Sequence, residues 1–179
     1  GKDVLLQFGA VYYESEIYVD GKFVDRHFGG SDSFTVDITK FVKAGSTHSL
    51  VVNAKSDLRS RMQPAGKQSL RHGPFECMYT RTTGIWQTVW MEPVPAAHIN
   101  SYEAVADVAA STLKVSVDAA VEEGDIVEVV LLEDGEPVAK AQGREVTLAV
   151  PSARLWSPAS PYLYDLKIKI LRGDVVVDE

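Results

Sequence analysis

The chain has 179 residues, and 45 % of them are hydrophobic, with a mean hydropathy of -0.05. At this length a folded chain buries roughly 70 % of the surface that its unfolded form exposes, so a packed core is expected and wholesale disorder is not. Acids outnumber bases by 25 to 18, for a formal charge of -7, which argues against the basic face that a nucleic-acid binder needs. Cys77 is the single cysteine, which rules out an intrachain disulfide and a four-cysteine zinc site. No run approaches the ~18 apolar residues of a membrane-spanning helix, so neither nucleic acid nor membrane is an expected partner. Gly1-Lys2-Asp3-Val4 carries no signal-peptide pattern, and a periplasmic or extracellular location stays open.

Period-two alternation dominates from the start. Val4-Leu5-Leu6-Gln7-Phe8 reads as a strand, and Glu16 to Asp20 alternates into Asp20-Gly21, a two-residue hairpin turn with Phe23-Val24 returning. Asp37 to Val42 has the pattern of a single helical turn capped by Asp37 and stopped by Gly45. Ser49 to Asn53 is the next strand. Ser56 to Tyr79 is long and irregular, punctuated by Pro64, Gly66, Gly73 and Pro74. Gly84 to Glu92 is rich in β-branched and aromatic residues and reads as one continuous strand.

Pro93-Val94-Pro95 cannot extend a central ladder, because proline lacks the backbone donor. A domain junction is therefore expected near residue 95. Beyond it, Ala104 to Ala110 reads as a strand end plus turn. Leu113 to Val117, Ile126 to Leu132 and Leu166 to Ile170 are strands, with a second hairpin turn at Asp134-Gly135. Lys167 and Lys169 mark a wet strand face. The expected fold class is all-β, with two consecutive β-sandwiches over residues 1–95 and 96–179. The second unit, with about six or seven short strands, suits an immunoglobulin-like sandwich of ~100 residues. The first, with roughly five strands, falls short of a jelly roll of ~8 strands, and its expected state is N-terminally truncated. Unpaired strand edges in such a unit invite a second copy of the chain.

Several motifs then combine into a resemblance. Phe8-Gly9-Ala10-Val11-Tyr12-Tyr13-Glu14, Ile17-Tyr18-Val19-Asp20-Gly21-Lys22, His27-Phe28-Gly29-Gly30 and Phe34-Thr35-Val36-Asp37-Ile38-Thr39 occur in order. Pro64-Ala65-Gly66-Lys67-Gln68 and Thr83-Gly84-Ile85-Trp86-Gln87-Thr88-Val89-Trp90-Met91-Glu92-Pro93 follow. Leu155-Trp156-Ser157-Pro158 and Pro161-Tyr162-Leu163-Tyr164 close the series. Together they resemble glycoside hydrolase family 2, which contains the β-galactosidases, β-glucuronidases and β-mannosidases. The resemblance implies a sugar-binding jelly roll, galactose-binding-like, followed by an immunoglobulin-like domain. It also implies a catalytic (β/α)8 barrel in the same parent chain as the partner. An Asp that some members place near the active site corresponds here to Met78, so that role is not carried over.

The family's reaction is that of a retaining β-glycosidase, with two glutamate carboxyls ~5–5.5 Å apart. A barrel of about 250 residues does not fit here. The family's acid/base glutamate follows an asparagine, whereas Asn53 precedes Ala54 and Asn100 precedes Ser101. No catalytic residue, metal ligand or cofactor is expected among these residues. His27, His48, His72 and His98 are too scattered for a metal signature, Gly29-Gly30 is no phosphate loop, and Cys77 is expected buried or semi-buried. The candidate substrate-facing element is the Ser56–Tyr79 loop, with Gln63, Gln68, Arg71, Glu76 and Tyr79 as polar contacts. The alternative is a loop that only packs domains together. Arg59, Arg61, Lys67, Arg71 and Arg81 make the segment locally basic, for solvent or for an acidic neighbouring domain. Tyr12, Tyr13, Trp86, Trp90 and Trp156 are of the type that stacks on sugars. Trp86 and Trp90 share a parity and are expected in the core, and Trp156 is expected to pin the last strands. Two rival readings stand beside the scaffold of a family 2 enzyme: a stand-alone carbohydrate-binding module, and a structural or adhesion sandwich.

Overall fold

A computed structural model describes residues 2–179 and contains fifteen strands and no α-helix. Two compact units divide at Pro93 and Val94.

The first unit holds β1 (Asp3–Phe8), β2 (Val11–Tyr12), β3 (Glu14–Val19), β4 (Lys22–Phe28), β5 (Phe34–Asp37), β6 (Leu50–Lys55), β7 (Gly84–Ile85) and β8 (Val89–Val94). Two three-stranded sheets, β5-β1-β8 and β4-β3-β6, are joined by the short pair β2-β7. Alternation decides which residues meet between the layers. Leu6 and Phe8 of β1, Ile17 and Val19 of β3, and Val36 of β5 are buried in one cluster; each side chain of this size contributes about 1.5–3 kcal/mol by leaving water. The Phe8 and Phe34 rings stack at 4.7 Å. Asp20 and Gly21 adopt φ of 49° and 76°, the paired positive angles that a tight hairpin requires. Thr39–Phe41 forms one 3-10 turn, and the Thr39 amide donates to the Asp37 carboxylate at 2.8 Å.

The run from Gly84 to Glu92 is not one strand. Val11 faces Ile85 and the Trp86 amide donates to the Ala10 carbonyl, but the Gly9 amide donates to Thr88. The register therefore slips by one residue at Gln87, a bulge that reverses which face the following residues present. Val89 then packs on the core. Trp86 and Trp90, expected inside, are 58 % and 43 % exposed. Their indole N–H groups donate to the Gly30 carbonyl at 2.8 Å and the Glu92 carboxylate at 2.7 Å.

The second unit contains β9 (His98–Asp107), β10 (Thr112–Ala120), β11 (Asp125–Glu133), β12 (Glu136–Gln142), β13 (Glu145–Ala149), β14 (Asp165–Arg172) and β15 (Val175–Asp178). A three-stranded sheet, β13-β10-β9, faces a four-stranded one, β12-β11-β14-β15, the two-layer sandwich that the alternation demands. Val115, Val117, Val127, Val129, Leu148 and Ile170 fill the space between. On the outer face of β11, Glu128 is buried against the Lys140 ammonium at 2.6 Å. Lys140 holds its carboxyl below the usual range, against the opposing effect of burial. Lys169 is half-buried beside it, and Lys167 pairs with Glu179 at 3.0 Å, so the lysine face is a salt-bridged surface. Trp156, expected to pin the last strands, is instead 58 % exposed. It lies on the irregular segment before β14, where it lines an apolar cleft with Tyr102, Leu155 and Leu163.

One end of this unit is closed by charge. Arg172 grips the Asp125 carboxylate in a fork at 2.7 and 2.9 Å and reaches Glu122 at 2.7 Å. The two Arg172 hydrogen bonds, helped by the Glu122 amide, hold the Asp125 carboxyl down to about 2, from 3.8. A carboxylate depressed by folding adds stability above its unfolded pKa and loses it as the pH falls through the folded one. Asp125→Asn is expected to lower the melting temperature at pH 7. The gap to the parent chain should narrow as the pH falls from about 4 to about 2. Calorimetry over that range checks this, and a gap independent of pH contradicts it.

Candidate functional site

Between β6 and β7 the chain runs from residue 56 to residue 83 with only isolated bridges and one 3-10 turn, Leu58–Ser60. Such a length of chain stays ordered only if its backbone groups find partners. Tyr12 anchors the first half. Its hydroxyl donates to the Pro64 carbonyl and accepts from the Gln63 amide at 3.1 Å. The same amide nitrogen reaches the Ser56 hydroxyl at 3.1 Å, and the Gln63 carbonyl oxygen accepts from the Asp57 backbone at 2.9 Å.

Room for the Tyr12 ring comes from Gly30. A Cβ there would lie 2.3 Å from Tyr12 Cδ2, so no larger residue fits without displacing the ring. Gly30 also receives the Trp86 indole N–H.

The second half is a small backbone ladder. Gln68 bridges Tyr79 in parallel, the Ser69 amide donates to the Tyr79 carbonyl, and the Tyr79 amide to Lys67, both at 2.7 Å. Ser69 is fully buried; its hydroxyl donates to the Gly73 carbonyl at 2.8 Å and accepts from the Arg71 amide at 3.0 Å. Phe75 and Met78 exchange both backbone hydrogen bonds, at 3.1 and 2.9 Å, around a tight turn. Glu76 adopts a φ of 50° there.

The five residues singled out from sequence thus divide. Gln63 is bonded at both ends of its side-chain amide, to Asp57, Ser56 and Tyr12, and the Gln68 carbonyl oxygen accepts from the Thr82 amide at 2.9 Å. Arg71 lies flat over the Phe75 ring at 3.9 Å. Glu76 is exposed at the turn with no ion pair among the described residues, and Tyr79 is 66 % exposed. The backbone ladder brings Gln68 and Tyr79 together, whereas Gln63 belongs to the separate Tyr12 anchor. Cys77 corrects an expectation: it is exposed, because the tight turn leaves it at the tip with nothing packed over it.

Five basic side chains, Arg59, Arg61, Lys67, Arg71 and Arg81, stand in this segment against Asp57 and Glu76. Not one of the five forms an ion pair among the described residues. Missed at the level of sequence were Tyr12 as an anchor, Gly30 as its seat and Ser69 as a buried hub. The proximity of Ser69 to Arg71 along the chain was a local signal of a hydroxyl-capped turn.

Chemically the site presents donors and a carboxylate on a braced loop, without an acid–base pair. The carboxyls whose pKa values depart from the ordinary range, Glu16, Asp20, Asp125 and Glu128, are all lowered by hydrogen bonds; a general acid needs the opposite shift. No group of three or more His, Cys, Asp or Glu side chains could hold a metal ion among the described residues. Ring pairs that stack face to face are Phe8–Phe34 and His27–Phe34. Tyr18–Phe23, nearer the surface, meets edge-on at 74°.

Comparison with known proteins adds a consistent signal. The family model for glycosyl hydrolases family 2 matches residues 88–179. A β-glucuronidase from Sus scrofa is 30 % identical over 191 residues, which cover 95 % of this chain and 29 % of that protein. A β-galactosidase from Thermoanaerobacter pseudethanolicus is 25 % identical over 193 residues, covering 99 % of this chain and 25 % of that one. Among solved structures, the β-glucuronidase of Ruminococcus gnavus in complex with C6-substituted uronic isofagomine superposes with a TM-score of 0.80. It is 27 % identical, and the match covers 99 % of this chain and 32 % of that one. This chain therefore spans between a quarter and a third of the length of these proteins.

Tyr12→Phe is expected to release the first half of the loop. A lost hydrogen bond of this kind costs about 1 kcal/mol, so trypsin should cut at Arg59 and Arg61 roughly 5-fold faster. Limited proteolysis reads this directly, and unchanged cleavage contradicts the anchoring role.

Proposed function

This chain belongs to glycosyl hydrolases family 2, and we propose that it is the non-catalytic scaffold of a retaining β-glycosidase. In this reading a catalytic domain of the same parent protein carries both reacting carboxylates. β-Glucuronides are the first substrate class to test, because two of the three similar proteins described above carry that name.

The observation that carries the proposal is the match over nearly the whole of this chain to proteins three to four times as long. Chemistry supports it from the other side. The carboxylates with shifted pKa values are locked into hydrogen bonds as anions, and a retaining hydrolysis needs one carboxyl protonated and a second ~5–5.5 Å away.

The 56–83 loop would be the contribution to the substrate pocket. Tyr12 and Ser69 fix its backbone, which leaves Arg71, Glu76 and Tyr79 free to present polar atoms at a constant position. Its unpaired basic side chains fit an acid-lined neighbour, since charges left unpaired within one unit gain most from a partner of opposite sign. Gln63 and Gln68 act in this account as braces.

The test is turnover of 4-methylumbelliferyl β-D-glucuronide and β-D-galactoside by the purified chain. No release of 4-methylumbelliferone above the buffer rate is expected, and the parent protein should cleave at least one of the two. Turnover by the chain alone would overturn the proposal.

A further inference from the structure

Val42 packs on the core of the first unit, and residues 43–49 then carry the chain to β6 without forming a strand or helix. The Ser46 amide closes a turn on the Lys43 carbonyl at 3.1 Å, and Gly45 supplies its positive φ of 76°. Past the turn, Asp20 fastens the segment to the β3–β4 hairpin. One oxygen of its carboxylate accepts from the Ser49 amide at 2.8 Å. The other meets His48 Nδ1 at 2.7 Å.

The second ring nitrogen stands between a donor and an acceptor of one residue. His48 Nε2 lies 2.9 Å from the Lys43 amide nitrogen and 3.3 Å from the Lys43 carbonyl oxygen. A backbone N–H only donates, so a ring bound to it is neutral, accepts at Nε2 and carries its proton on Nδ1, toward Asp20. An imidazolium donates from both nitrogens. Its Nε2–H has no use for the Lys43 N–H and takes the carbonyl, which keeps a second lone pair beside the one that Ser46 occupies. Protonation therefore exchanges one backbone partner for the other.

The charges around the ring favour the exchange within the range where histidine titrates. Asp20, from the hairpin turn, is the charged group that acts on the imidazole; Lys22 acts on Asp20 from the same turn, and Lys43 lies on the segment itself. The bond to Asp20, then the Lys43 carbonyl, hold His48 above the ordinary imidazole value against the effect of burial. His48, then the Ser49 amide, hold Asp20 below the usual carboxylate value, so Asp20 stays an anion while the ring titrates. The His48 side chain is 22 % exposed, which lets solvent deliver the proton.

We propose that His48 is a proton-operated latch on the 43–49 segment. The neutral ring ties down the Lys43 amide; the imidazolium releases that amide to water and holds the Lys43 carbonyl. The hairpin end stays fixed, because the Ser49 amide remains on Asp20 and the His48–Asp20 contact becomes an ion pair. The turn at Lys43–Ser46 is the part that shifts. All the groups involved lie between residues 20 and 49, and the latch works whatever the parent enzyme hydrolyses.

Amide and imidazole nitrogen NMR of the labelled chain, from about pH 5 to about pH 9, tests it. Above the His48 midpoint the ring is expected to carry its proton on Nδ1. As the pH falls through that midpoint, the Lys43 amide resonance should move with the His48 titration. Its exchange, corrected for the intrinsic pH dependence, should rise roughly 5-fold, while the Ser49 amide stays protected. Asp20→Asn keeps a residue that tolerates the turn's positive φ and should move the midpoint to lower pH. His48→Asn should abolish the Lys43 transition. A neutral ring with its proton on Nε2, a Lys43 amide that ignores the His48 titration, or the same transition in a folded His48→Asn chain overturns the proposal.

Discussion

The Tyr12 ring lies against a glycine, and the order of the long loop depends on that contact. Gly30 leaves space that a Cβ would occupy at 2.3 Å from the ring. The hydroxyl then reaches Pro64 and Gln63, tying one end of the loop to β2. The other end folds on itself, the Ser69 amide donating to the Tyr79 carbonyl and the Tyr79 amide to the Lys67 carbonyl. Between these fixed points the loop contributes no large apolar cluster of its own. Hydrogen bonds, to Tyr12 of the sandwich at one end and within the loop at the other, therefore order this stretch, with Leu58 as its buried apolar side chain.

The two sandwiches provide the rigidity. Each is a pair of sheets whose inner faces alternate with outer ones, and each has its own core. Three of their carboxylates are paired: Glu128 with Lys140, Asp125 with Arg172, Asp20 with His48 at 2.7 Å. These carboxylates are stabilised as anions, which suits support and not proton transfer. The contrast with the basic loop is physical. Glu128, Asp125 and Asp20 are paired locally, while none of Arg59, Arg61, Lys67, Arg71 and Arg81 forms an ion pair among the described residues.

Much of this was legible in the residues. Asp20-Gly21 and Asp134-Gly135 demand positive φ and both adopt it. The alternation of β3, β10 and β14 marks Ile17, Val115 and Ile170 as interior, and the ordered motifs point to the family. The bulge at Gln87 was hidden, since one inserted residue leaves composition unchanged yet reverses the faces of all that follow. Trp90, beyond that slip, therefore read as core and lies at the surface, whereas Trp86, before it, is exposed with its indole N–H on the Gly30 carbonyl. Gln63 and Gln68 read as ligand contacts because a side-chain amide serves a sugar or a carbonyl equally well. The fold shows their carbonyl oxygens accepting from the Asp57 and Thr82 backbone amides.

Amide hydrogen exchange across residues 56–83 tests most directly whether the loop is a braced element. The account predicts that the Ser69 and Tyr79 amides exchange far more slowly than unstructured chain, close to the amides of β3. Exchange of both at the rate of an unstructured peptide would contradict it.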